Sequence, residues 1–130
     1  MGNTVSTTGH YESSLFNLKE IKPEEINKEL LKLFVKEEKL IQAFKTVRDQ
    51  VIFTTKRIIV INVQGITGKK TSYISYPYKS IIYYGIQTAG VLDIDSELFF
   101  TMRDGSKLLF DFSNKVDIRN ICRFLNPYIL

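Results

Sequence analysis

Residues 53–70, FTTKRIIVINVQGITGKK, constrain the fold of this 130-residue chain more than any other stretch. Ile58, Ile59, Val60, Ile61 and Val63 make a β-branched run, which suits a pleated surface and loses side-chain freedom in a helix. The basic pair Lys56-Arg57 stands at one end of the run. Gly65, Gly68, Lys69 and Lys70 form a glycine-punctuated, lysine-tipped turn at the other. The stretch therefore reads as two strands joined by an exposed loop.

The same period continues on both sides. Runs of five to nine residues rich in β-branched and aromatic side chains predict strands at 39–47, 50–54, 57–63, 71–77, 81–88, 97–103 and 106–112. Asp104-Gly105 is the strongest hairpin signal, because tight two-residue turns favour positive φ at both central positions. A helix is expected at 23–35, where Pro23-Glu24-Glu25 makes a start signature and Ile26, Leu30, Leu33 and Phe34 follow at helical spacing. That stripe should pack on its own sheet or on a neighbouring subunit. A second helix is expected at 114–128, with Asn114 as N-cap and Asp117 as the capping-box acid. Its face of Ile118, Ile121, Cys122, Leu125 and Ile129 should plug the open end of a curved sheet. Residues 1–20 are rich in Ser, Thr, Gly and Asn and read as a flexible tail preceding a domain at 21–130.

Several functional classes are excluded or disfavoured. A hydrophobic fraction of 44% with 25% charged residues argues for one folded domain, and no apolar run reaches the ~18 residues of a membrane span. Cys122 is the only cysteine, so no internal disulfide forms and a reducing cytoplasm is the default compartment. No apolar segment of a signal peptide follows Met1. Gly2 and Ser6 match a short acylation pattern, which is outweighed by the reading of a plain tail. His10 stands alone in that tail, so no zinc-type ligand set is expected. Asp93, Asp95 and Glu97 imitate the start of a calcium loop, but the sixth and twelfth positions are Leu98 and Asp104 where Gly and Glu are required. Cys122 lies in an apolar stripe with no base beside it, and no phosphate loop or nucleophile elbow is present. The expectation is a protein with no catalytic residues, no metal and no cofactor.

Charge is distributed unevenly. Residues 1–50 hold eight basic and eight acidic residues, whereas 51–91 hold Lys56, Arg57, Lys69, Lys70 and Lys79 with no acid. These five are the candidate contact patch for an acidic partner or a phosphate, although lysines at strand ends also keep sheet edges soluble. Tyr73, Tyr76, Tyr78, Tyr83 and Tyr84 interleave with the lysines as single-stranded nucleic-acid binding would require. The predicted strand count fits the usual five-stranded β platform for such ligands poorly. Tyr76, Tyr83, Tyr84, Asp93, Asp95 and Glu97 are therefore taken as candidate subunit-interface residues.

Four blocks in order, FTTKRII (53–59), QGITGKK (64–70), SYPYKSI (75–81) and TAGVLDIDSEL (88–98), resemble the signature of the small bacterial pleckstrin-homology proteins. The resemblance spans residues 22–130. It implies a mainly β, partly open barrel of about seven antiparallel strands capped by a C-terminal helix, here with an extra N-terminal helix. It further implies a non-catalytic binding or scaffold module that self-associates into a cyclic homo-oligomer, typically a five-fold ring. Peripheral binding to anionic lipid or phosphoinositide-like headgroups is the first alternative, and single-stranded nucleic acid the second. The 48–50 corner, Arg-Asp-Gln, is tight and nearly neutral where lipid-binding relatives of the superfold carry a basic loop, and the chain has no Trp for the C-terminal helix.

Overall fold

A computed structural model describes residues 13–88 and 95–130. Eight strands form one sheet: β1 (Ser13–Ile21), β2 (Leu40–Lys45), β3 (Gln50–Thr54), β4 (Arg57–Gln64), β5 (Lys70–Pro77), β6 (Ile81–Gln87), β7 (Ser96–Met102) and β8 (Lys107–Phe112). Their order across the sheet is β5-β4-β3-β2-β1-β8-β7-β6. Every pairing is antiparallel except β1 with β8. The sheet curls into a partly open barrel, and the C-terminal helix α2 (Ile118–Ile129) buries Ile118, Ile121 and Leu125 in it.

The interior is aromatic. Phe44, Phe53, Phe100, Phe110 and Phe112 are fully buried, and their rings meet mostly edge to face, as at Phe44–Phe112 with centroids 4.8 Å apart. Such contacts add to area burial because the positive ring edge meets the negative face. Alternation sends Val51, Phe53, Ile58 and Val60 into this interior. Ile52, Ile59 and Ile61 point to the opposite face, where Ile21, Ile26 and Leu30 cover them. The unbroken apolar run of β4 is thus explained by a strand buried on both sides.

Three expectations are corrected here. Residues 13–20 were expected to be tail, yet they form most of β1, which bridges the two halves of the sheet between β2 and β8. Leu15 and Leu18 both enter the interior despite their odd spacing, because a bulge with Asn17 at φ +57° resets the alternation. Ile21 then faces outward into the second cluster, so the strand shows a spacing of three rather than two. The N-terminal helix expected at 23–35 is a single 3-10 turn, Pro23–Glu25, followed by a four-residue α1 (Lys28–Leu31). Ile26 is extended, and the Asn27 side chain accepts from the Glu29 N–H, starting a new helix. The apolar stripe nonetheless packs on its own sheet through Ile26, Leu30 and Phe34, while Leu33 is exposed. At the second helix Asp117, not Asn114, is the N-cap: its carboxylate accepts from the Arg119 N–H, and residues 113–116 are closed as a turn by Val116 N–H to Ser113 O.

Gly105 alone takes positive φ in the β7–β8 turn, with Asp104 accepting from the Ser106 N–H. The hairpin lies where Asp104-Gly105 predicts it, in a longer turn than the two-residue form.

Candidate functional site

The tight turn between β3 and β4 brings Lys56 and Arg57 against the chain entering β2. Glu38, whose side chain has no exposed surface, receives both Arg57 Nε (2.8 Å) and Arg57 Nη2 (2.9 Å). Thr54 Oγ1 donates to the same carboxylate at 2.6 Å, and the Val35 N–H at 3.1 Å. Arg57 also donates to Leu33 O and Ser75 Oγ. Burial pushes the Glu38 carboxyl up, but the bonds from Arg57, Thr54 and Val35 outweigh it and hold it below the ordinary carboxylate value. Arg57 is therefore committed to a structural fork and does not serve as a free contact cation.

Around this fork lies a cleft of about 450 Å³ lined by Val35, Lys56, Pro77, Tyr78, Lys79 and Tyr128 among others. The lysines are exposed and, unlike Arg57, make no ion pair among the described residues. Tyr78 closes the floor, its hydroxyl donating to Thr54 O at 2.6 Å, and burial holds its phenol far above the ordinary range. The cleft joins two amines to aliphatic and aromatic walls while its one buried acid is neutralised by Arg57.

The predicted basic patch is divided. Gln64 pairs with Lys70 and Arg57 with Pro77 along the β4–β5 ladder, so Lys69 and Lys70 lie at the opposite end from Lys56 and Lys79. Seven residue steps at ~3.4 Å put the two groups roughly 24 Å apart. The predicted interface residues scatter as well. Tyr76 is buried in the core and its hydroxyl bonds Ser13 Oγ at 3.0 Å, so it offers no free surface. Tyr84 stacks on Phe100 and its hydroxyl donates to Asn126 on α2, with burial raising its pKa. Tyr83 is exposed on β6. Asp93 lies outside the described residues. Asp95 and Glu97 sit near Asp111, the cross-strand partner of Glu97; burial first, then these two acids, raise the Asp111 pKa. Cys122 is half-buried and burial raises its thiol, in keeping with a packing role.

Sequence reasoning missed Glu38, Tyr128 and the exposed aliphatic loop residues Val47 and Ile66. Ile66 carried a readable signal, as an isolated aliphatic side chain in the predicted 64–70 loop, whereas Val47 reads as the end of the strand expected at 39–47 and stands in a turn only because β2 ends at Lys45. Glu38 carried none, because nothing local marks it as the partner of a residue 19 positions away.

A curled sheet plugged by one C-terminal helix defines a PH-like domain, and such domains are non-catalytic binding scaffolds. Among the described residues no group of three or more His, Cys, Asp or Glu is placed to hold a metal. No helix among them is long and apolar enough to cross a membrane. The chain belongs to the bacterial PH domain family, whose pattern it matches over residues 9–129. It is 44% identical over 90 residues to the uncharacterized protein YjqA of Bacillus subtilis (strain 168), covering 69% of this chain and 72% of that one. It is similar in structure to a DUF1696-family protein with a pleckstrin-homology domain from Shewanella loihica PV-4, with a TM-score of 0.78 and 34% identity over 88% of this chain and 99% of that one. A pleckstrin-homology domain from Shewanella amazonensis SB2B gives a TM-score of 0.62 at 38% identity, over 79% and 84% of the two chains.

Proposed function

We propose that this domain is a scaffold that self-associates into a closed ring through the two ends of its sheet and uses the repeated Lys56–Lys79 cleft to hold an acidic protein partner. The observation that carries the reading is the strand order. The sheet ends at β5 on one side and β6 on the other, and neither has a second partner strand among the described residues. Such edges expose backbone donors and acceptors that invite pairing. β6 also presents Ile82 and Tyr83, 59% and 54% exposed, at that edge. Contact between β6 of one copy and β5 of the next is heterologous and is satisfied throughout only if the assembly closes. Tyr83, Asp95 and Glu97 are the interface residues this reading retains. A ring would repeat the cleft once per copy, so weak attraction at each becomes useful avidity. A single, half-buried cysteine suits the reducing cytoplasm in which we place it.

Light scattering of the full chain tests the assembly. Five copies of a 15.1 kDa chain would give about 75 kDa, and Ile82→Glu with Tyr83→Glu should reduce this to the single-chain mass while the circular dichroism is kept. A wild-type mass of 15.1 kDa at micromolar concentration would refute the ring.

A further inference from the structure

We infer that the Lys56–Lys79 cleft takes a short acidic segment of its partner through one large apolar side chain seated on the cleft floor, with the segment's carboxylates held at the rim. This rests on the reading of the cleft as the site for an acidic protein partner and specifies how such a partner is recognised. The floor is closed to charge. Tyr78 is buried with its hydroxyl spent on Thr54 O, and the Glu38 carboxylate is already matched by Arg57. Arg57 itself has four of its five N–H groups committed, to Glu38, Leu33 and Ser75. A carboxylate pushed into the floor would give up water for almost no free donor, which is costly. The walls are apolar and open: Val35 is 55% exposed and Tyr128 48%, and Pro77 is exposed as well. Burying an apolar side chain against them removes both surfaces from water.

The groups that line the cleft are braced. The Tyr78 N–H donates to Lys56 O at 3.2 Å and joins the two lysine-bearing turns, and the Arg103 guanidinium donates twice to Lys79 O. Val35 is fixed by Glu38, whose carboxylate accepts from the Val35 N–H while its own N–H donates to Val35 O at 3.1 Å. That turn holds Glu37 at φ +69°, a left-handed conformation that favours glycine, so the segment presenting Val35 carries backbone strain. Phe34 packs on the sheet, whereas Leu33 and Val35 on either side of it are left exposed. A surface fixed beforehand binds at a smaller entropic cost than one that must be ordered. Lys36, Lys56 and Lys79 are exposed and make no ion pair among the described residues, and the exposed acid of the Val35 turn is Glu37. An apolar anchor with carboxylates beside it therefore complements both the walls and the rim.

Fluorescence anisotropy of the full chain with three fluorescein-labelled peptides tests the inference: Asp-Glu-Phe-Glu-Asp, the same peptide with Ser in place of Phe, and the same peptide with Asn and Gln in place of the acids. The first should bind, and loss of its ring should weaken binding about tenfold, the scale of burying one apolar side chain. Loss of the acids should weaken binding and abolish its salt dependence, since exposed charges are screened by salt. Lys56→Gln with Lys79→Gln should act on the first peptide in the same way, whereas Lys69→Gln with Lys70→Gln, at the other end of the β4–β5 ladder, should leave it unchanged. Val35→Ser with Tyr128→Ser should weaken the first peptide about tenfold and leave the Ser peptide unaffected, with the circular dichroism kept. Equal affinity for the Phe and Ser peptides overturns the apolar anchor and leaves the acidic-partner reading standing. Equal affinity for the acidic and neutral peptides overturns both, as does binding of none of the three at millimolar peptide. Full affinity in either pair of cleft variants puts the peptide elsewhere on the domain and overturns the inference too.

Discussion

Replacing Glu38 tests whether the fork at Arg57 holds the N-terminal cover to the sheet. The carboxylate accepts from Arg57 twice, from Thr54 and from the Val35 N–H, and its side chain is fully buried. Removing one member of a buried pair costs about 3–5 kcal/mol, much of it from stranding the other charge. Arg57 would not be stranded completely: it keeps Leu33 O and Ser75 Oγ, and 19% of its side chain reaches solvent. Glu38→Ala is therefore placed near the lower bound, at about 3 kcal/mol. Glu38→Gln retains one acceptor and should cost about 2 kcal/mol, the worth of one charge-assisted hydrogen bond. For a urea slope of ~2 kcal/mol/M, these losses lower the midpoint by roughly 1.5 M and 1 M.

The pH dependence separates the ion pair from simple packing. The folded-state pKa of Glu38 is lowered from 4.5, so its contribution is complete above that value and is lost as pH falls through the folded-state value. Wild type and Glu38→Gln should differ by the full amount at pH 7 and converge below pH 4.5. Urea denaturation of both at pH 7 and at pH 3 makes the measurement. Equal stabilities at pH 7, or a gap unchanged by acid, would refute the reasoning.

Two further perturbations follow from the second half of the sheet. A Cβ on Gly85 would lie 2.7 Å from Phe99 Cζ, so Gly85→Ala must displace that ring and should cost about 1 kcal/mol, in the range of overpacking. With Phe99→Ala already present the sign should reverse, since Ala is favoured over Gly in a strand by ~0.5–1 kcal/mol; a double-mutant cycle by thermal denaturation that shows additivity would be contrary to the packing argument. Asp111, whose pKa is raised above 3.8 by burial and by Asp95 and Glu97, favours the unfolded state once ionised. That penalty is full above the folded-state value and disappears as pH falls through 3.8, so Asp111→Asn should be stabilising at pH 7 and neutral below pH 3.8, as read from unfolding curves at the two pH values.

Arg57 shows how a residue can be singled out from sequence while its role is not. Its place at the start of a strand was legible, because β-branched composition marks β4 locally. Its partner Glu38 was not, because a long-range ion pair leaves no periodic trace. Tyr76 is a similar case: alternation put it on a strand, but only the curl of the sheet decides that its face is the interior. The lysine patch looked continuous because its members fall within one acid-free block; the β4–β5 hairpin sends Lys56 and Lys69 to opposite ends.

Sequence alone determined the antiparallel strands from β2 to β8, the apolar stripe of α2 and the family, because these rest on local propensity, spacing and ordered motifs. Tertiary structure alone decided that β1 is a strand, since its bulge breaks the alternation and its hydrogen-bond partners β2 and β8 are distant in the chain. It alone decided that the segment after Ile21 wraps the outer face of β3 and β4, because Ile52, Ile59 and Ile61 need a cover that no local rule can name. The exposed pair Val47 and Ile66 divides between the two: Ile66 is visible in the sequence as an aliphatic residue in a loop, but only the structure ends β2 at Lys45 and leaves Val47 in a turn, and the Arg48 bond to Gly65 is what fixes the two turns together at one end of the barrel.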